Sequence, residues 1–119
     1  MKMKLSDELL HLVAGRFRVL AEPIRLQIVY RIAQDEKTVN EIVSCLSASQ
    51  SNVSQHLKVL TEAGILLRRQ QKNCVYYKVS DPNIFPLCQI VWRSLKNISE
   101  RQTKLLALIQ KENTFFSPE

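Results

Sequence analysis

The chain has 119 residues, 45% hydrophobic and 24% charged, which fits one globular domain and excludes a disordered chain. Its formal net charge of +6 points to an anionic partner, either nucleic acid or a membrane surface. No apolar run approaches the roughly 18 residues needed to span a bilayer and no secretory pattern opens the chain, so the expectation is a cytoplasmic protein with no membrane partner.

Two glycines and four prolines leave few tight turns, which predicts a mostly helical fold. From Ser6 to Leu20, the residues Leu9, Leu10, Leu12, Val13, Phe17 and Leu20 recur at helical spacing. Pro23 stands at a first helical position, ahead of Ile24, Leu26, Ile28, Val29 and Ile32. After the polar break Asp35-Glu36-Lys37, Thr38 and Glu41 form a capping box. The short helix behind it has Val39, Ile42, Val43 and Leu46 as its core face. Ser47-Ala48 makes a turn, and Ser49 caps a helix that carries Val53, Leu57 and Leu60 and ends at Gly64. Ile65 to Gln70 and Cys74 to Val79 read as strands joined at Gln71-Lys72-Asn73. Tyr76 and Tyr77 alternate faces, so one is expected in the core and the other at the surface. Asp81-Pro82 opens one long helix through Ile84, Leu87, Ile90, Val91, Leu95, Ile98, Leu105, Leu106 and Leu108, with Thr114 to Glu119 expected to fray. The fold class is mainly α with a small β-hairpin, in the order α-α-α-α-β-β-α. That order describes a winged helix-turn-helix, one domain over residues 1–119.

The most informative stretch is Ser49-Gln-Ser-Asn-Val-Ser-Gln-His-Leu-Lys58. Without Val53 and Leu57 it consists of Ser, Gln, Asn, His and Lys, whereas a merely solvated face is rich in Glu and Lys. Amides and hydroxyls at these positions suit hydrogen bonding to base edges and phosphates, and the helix N-terminus offers free N–H groups to a phosphate. Ser49, Gln50, Ser51, Asn52, Ser54, Gln55, His56 and Lys58 are the expected DNA-facing set. Between Ser49 and Ser80 the only acid is Glu62, against Lys58, Arg68, Arg69, Lys72 and Lys78. Arg68, Arg69 and Lys72 are the expected phosphate contacts of the hairpin. For the two arginines the competing use is a solubilising charge on a strand edge.

Three runs resemble the ArsR/SmtB family of bacterial repressors. They are Phe17-Arg-Val-Leu-Ala-Glu-Pro-Ile-Arg-Leu-Gln-Ile-Val, the segment from Ser49 through Thr61-Glu-Ala-Gly-Ile-Leu66, and Val75-Tyr-Tyr-Lys-Val. The resemblance covers roughly residues 8 to 100, and its Ser-Gln-x-x-Val-Ser-x-His-Leu core is specific. It implies a homodimer paired through its first and last helices. It also implies double-stranded DNA as partner, at an imperfect inverted-repeat operator, with release when a chemical signal arrives. The dimer has separate support: Phe85, Leu87, Ile90, Val91, Trp92 and Leu95 extend around much of the last helix, more than one stripe against a small core uses. Burial of that helix by the N-terminal helix of the same chain is the alternative.

The resemblance also bears on what is sensed. A Cys-x-Cys pair on the helix before the recognition helix is missing, since Thr38 to Leu46 holds only Cys45. An Asp and His site on the last helices is missing too, because no histidine follows His56. A thiol switch between the second and last helices lacks its first cysteine, where Tyr30 stands. Cys74 and Cys88, with Cys45, remain as sensor candidates for a soft metal or metalloid ion or for a thiol-reactive species. An odd, widely spaced set does not read as a disulfide framework. For each the competing reading is a small packed apolar residue, favoured for Cys45. His11 is expected as an isolated helix-surface residue.

The leading reading is therefore a DNA-binding repressor. A winged helix serving as a protein-interaction module, or a repressor with no cysteine-based sensing, stands as the alternative. No nucleophile–base pair, paired carboxylates, phosphate-binding glycine loop or complete metal motif marks an enzyme.

Overall fold

Capping residues divide the chain as their local chemistry requires. The computed structural model describes residues 6–99 and 103–111. Ser6 accepts the Leu9 N–H and opens α1 (Asp7–Leu20), and Pro23 at the first helical position opens α2 (Pro23–Ile32). Then follow β1 (Lys37–Thr38), α3 (Val39–Ser44), α4 (Gln50–Glu62), β2 (Leu66–Gln71), β3 (Cys74–Val79), α5 (Ile84–Ser99) and α6 (Thr103–Lys111). These elements form two compact units, residues 1–80 and 81–119.

In the first unit α4 packs against α2, α3 and β2, while α1 packs on α2. Its core consists of Ile28, Val29 and Ile32 from α2, Ile42 from α3, Val53, Leu57 and Leu60 from α4, and Ile65 and Leu66 beyond them. Each such side chain, fully withdrawn from water, contributes about 1.5–3 kcal/mol. In α1 only Leu20 is buried; Leu9, Leu10, Leu12, Val13 and Phe17 lie exposed along the helix.

The sheet is antiparallel with strand order β1-β3-β2, pairing Lys37 with Tyr77, Thr38 with Tyr76, Arg69 with Tyr76 and Gln71 with Cys74. β1 is absent from the order expected from sequence. Two residues carry no alternation to detect; they are extended because Thr38 must be extended to cap α3 (φ −79°, ψ 164°). β2 starts at Leu66 rather than Ile65, because the Ile65 N–H is held by the Leu60 carbonyl at the end of α4. With Gly64 at φ 78° and its N–H on the Thr61 carbonyl, this is a Schellman terminus. Tyr76 and Tyr77 are both half-buried, not one core and one surface, because each face of this narrow sheet is only partly covered.

In the second unit the single long helix expected from sequence is two, α5 and α6, which pack on each other. Asn97 and Ser99 stand at the end of α5 and Thr103 at the start of α6, and Asn, Ser and Thr are weak formers of helix interior. Helix α5 begins at Ile84, after Asp81 Oδ1 accepts the Asn83 N–H at 2.9 Å. Ile84, Cys88 and Trp92, four apart, are buried, whereas Ile90, Val91, Leu95 and Ile98 are exposed. On α6 Ile109 is buried and Leu108 exposed. The side chains of Leu105 and Leu106, and Thr114 to Glu119, lie outside the described residues. Among the described residues no helix is long and apolar enough to cross a membrane.

Candidate nucleic-acid interface

The helix-turn-helix is built by two caps in succession. Thr38 Oγ1 accepts the Glu41 N–H (3.2 Å) and Glu41 Oε1 accepts the Thr38 N–H (2.9 Å), so the start of α3 is satisfied at both ends of the box. That backbone N–H holds the Glu41 carboxyl below the usual carboxylate range. Further along, Ser49 Oγ accepts the Asn52 N–H at 3.2 Å and starts α4. With Val53, Leu57 and Leu60 buried, α4 leaves Gln50, Ser51, Asn52, Ser54, Gln55 and Lys58 exposed. Ser49 and Ser51 place their hydroxyls 3.4 Å apart at its N-terminus.

His56 differs from the other polar residues of α4. It is half-buried, and its Nδ1 receives the Arg25 Nε hydrogen at 3.0 Å. Arg25 also donates through Nη1 to the Val19 carbonyl in the last turn of α1, at 2.9 Å. At the far end of α4, Arg16 Nη1 donates to the carbonyl of Ala63, the C-cap. Two arginines from α1 and α2 thus hold the candidate recognition helix at its middle and its end. Sequence reasoning did not single out either one, since a lone arginine in an apolar helix reads as solvated.

The wing is the β2–β3 hairpin, closed by Lys72 and Asn73, with Lys72 at a left-handed φ of 55°. Arg68 is exposed and its side chain makes no hydrogen bond or ion pair among the described residues, and Lys72 projects from an exposed tip. Arg69 is engaged at three nitrogens. Nη2 meets Glu36 Oε1 at 2.6 Å, Nε meets Glu36 Oε2 at 3.4 Å, and Nη1 meets Gln71 Oε1 at 2.5 Å. Its guanidinium also lies 4.6 Å from the Tyr76 ring centroid. The Arg69 hydrogen bond holds the Glu36 carboxyl below its ordinary range, and the same bond raises Arg69. Arg69 therefore ties the wing to the turn before β1, through an acid that sequence reasoning treated only as a polar break.

The three cysteines are free and lie far apart in the chain, at the C-cap of α3, in β3 and in α5. Cys45, expected as a packed apolar residue, is instead exposed, because it caps the C-terminus of α3 where the chain turns outward. Cys74 is exposed at the start of β3; Cys88 is buried, and burial pushes its thiol up. Among the described residues no three His, Cys, Asp or Glu side chains gather closely enough to hold a metal ion. His11 is exposed on α1, with its Nδ1 2.8 Å from the Asp7 carbonyl.

The family described as "Bacterial regulatory protein, arsR family" matches residues 22–67, from the start of α2 into β2. The arsenical resistance operon repressor of Bacillus subtilis is 32% identical over 80 residues, spanning 66% of this chain and 76% of the relative. The chain belongs to the ArsR/SmtB family. Among solved structures, the crystal structure of Mycobacterium tuberculosis Rv0081 superposes with a TM-score of 0.75 at 29% identity, covering 82% of this chain and 99% of that one. The homodimeric winged helix-turn-helix DNA-binding domain Mb0332 of Mycobacterium bovis, solved by NMR, superposes at 0.64 with 29% identity, over 76% and 89%. This ArsR/SmtB chain is thus a winged-helix transcriptional regulator of a non-enzymatic family.

Proposed function

We propose that this ArsR/SmtB regulator is a cytoplasmic homodimeric repressor that places α4 of each protomer in a major groove of an imperfect inverted repeat. The observation that carries this reading is the exposed face of α4, where Gln50, Ser51, Asn52, Ser54 and Gln55 stand with no carboxylate before Glu62. Side-chain amides match the paired donor and acceptor of an adenine edge, and serine hydroxyls suit bases or phosphates. Lys58 on α4 and Arg68 and Lys72 on the wing supply phosphate contacts, while Arg69 sets the angle of the wing. Dimerisation joins the exposed apolar residues of α1 to those of α5, a self-complementary pairing that matches the two-fold symmetry of an inverted repeat.

A chemical signal then shifts the dimer toward a form whose two α4 helices no longer fit successive grooves. A soft metal or metalloid ion or a thiol-reactive species suits the thiols present. Cys45 and Cys74 are the accessible ones, and Cys88 is shielded. The test is fluorescence anisotropy of reduced, metal-free protein on its own upstream promoter DNA and on a scrambled duplex. Each titration is repeated with arsenite, zinc, peroxide and polysulfide. Selective binding released by one agent is the expected result. Selective binding that none of them releases would remove the thiol-based switch, and no preference over scrambled DNA would remove the repressor reading.

A further inference from the structure

We infer that Arg25 is a positioning residue for DNA recognition: it fixes His56 of α4 as the neutral Nε2–H tautomer, so that the ring meets the duplex as a single hydrogen-bond donor. This inference rests on the DNA-binding reading of α4. An arginine guanidinium can only donate, and it stays charged at any pH the fold survives. The atom that faces Arg25 Nε at 3.0 Å, His56 Nδ1, must therefore supply a lone pair. A ring with its lone pair at Nδ1 and no second donor there is neutral, and its one proton sits at Nε2.

Nε2 lies on the other side of the ring from the arginine. His56 makes no second hydrogen bond among the described residues, and no buried side-chain nitrogen or oxygen among them lacks a partner. The Nε2–H therefore reaches solvent. It does so from α4 between Gln55, on the exposed face, and buried Leu57. Arg25 cannot swing away cheaply, since its Nη1 is held by the Val19 carbonyl at 2.9 Å.

The chemistry of the fixed proton selects the partner. A lone N–H donor pairs with an acceptor, which in duplex DNA is a phosphate oxygen or a major-groove acceptor such as guanine O6 or N7, adenine N7 or thymine O4. A histidine free to exchange tautomers offers a donor or an acceptor equally and discriminates less. Arg25 removes that choice without touching DNA itself.

The chain has two histidines, and they offer a contrast. The Asp7 carbonyl can only accept, so His11 Nδ1, 2.8 Å away, carries a proton, the reverse of His56. Long-range 1H–15N spectra of 15N-histidine protein read both rings, with His11→Gln assigning the signals. The expected spectrum shows His56 as a single Nε2–H tautomer, collapsing to an averaged pattern in Arg25→Met and persisting in a DNA complex. Operator anisotropy should then weaken about tenfold in Arg25→Met. His56→Asn keeps an acceptor for Arg25 but lacks the Nε2 proton. It should hold the wild-type thermal midpoint while binding operator about tenfold less tightly. Equal losses on operator and scrambled DNA would assign the acceptor to phosphate; a loss confined to operator would assign it to a base edge.

An averaged His56 signal in the wild-type protein overturns the tautomer lock, whatever the DNA result. A fixed tautomer with operator affinity unchanged in both variants overturns its role in recognition. Wild-type protein with no preference for its promoter overturns the repressor reading instead, and the spectrum then decides the lock alone.

Discussion

At Lys72 the backbone takes φ 55° in a two-residue turn between Gln71 and Cys74, a conformation that side chains other than Gly or Asn adopt at a cost of about 1–2 kcal/mol. Asn73, a residue that tolerates this conformation better, stands beside it, so the lysine sits there against its conformational preference. The phosphate contact proposed for Lys72 gives a charge at this tip a use. Lys72→Gly should therefore raise stability by up to about 1 kcal/mol in thermal or urea unfolding while binding DNA more weakly. The slope of log affinity against log salt should fall by about one contact. A variant that unfolds more readily with its salt slope intact would mean that the tip does not touch phosphate. The residues legible in the sequence are those whose partners are close in the chain. Thr38 with Glu41, Ser49 and Gly64 each act within a few residues, so their spacing declares them. Arg25 meets His56 across 31 positions and Arg69 meets Glu36 across 33, and neither pair leaves a local trace. Cys45 departs from expectation for a related reason: a free cysteine reads as a small packed residue, but its place at the C-cap of α3 leaves it exposed.

Among the elements, the helices and the hairpin follow from periodicity and punctuation, whereas β1 and the α5–α6 break do not. β1 exists because the capping geometry of Thr38 coincides with the open edge of β3. The same junction carries an acid dependence. Glu36 and Glu41 both titrate below their ordinary value near 4.5 in the folded protein, Glu36 through its Arg69 hydrogen bond and Glu41 through the Thr38 backbone N–H. A lowered folded value means that the folded state binds its proton less readily than the unfolded chain. The stabilisation is thus fully present above about pH 4.5 and is lost as pH falls through the folded values. A Glu36→Gln, Glu41→Gln double variant should show a flatter fall of thermal midpoint below pH 5 than the parent, by circular dichroism across a pH series. Parallel curves for the two proteins would place acid sensitivity elsewhere. Because Arg69 sits on the wing, loss of its Glu36 bond should also loosen the hairpin while leaving α4 in place.

The molecule as a whole presents more apolar surface than one chain needs. Leu9, Leu10, Leu12, Val13 and Phe17 on α1, and Ile90, Val91, Leu95 and Ile98 on α5, are all exposed, with Leu12 at 72%. Surfaces of this kind mark interfaces in folded proteins. Leu12→Glu combined with Val91→Glu should leave helix content unchanged and convert the protein to a monomer in sedimentation velocity. A persistent dimer would place the interface on another surface. Monomers present one α4 instead of two, so the same variant should lose most of its preference for an inverted repeat. The α5 face is legible in the sequence, because its apolar residues extend beyond one stripe; the α1 stripe is not, because an apolar stripe at helical spacing reads the same whether it meets its own core or a second copy.

On the proposed function, the polar face of α4 reads base sequence. The direct measurement is anisotropy of wild-type, Ser54→Ala and Gln55→Ala protein on the upstream promoter and on a scrambled duplex, at one fixed salt concentration. The wild type should prefer the promoter, and each variant should lose about tenfold or more there with little change on the scrambled duplex. Equal losses on both duplexes, or no loss on either, would show that α4 does not carry the recognition assigned to it.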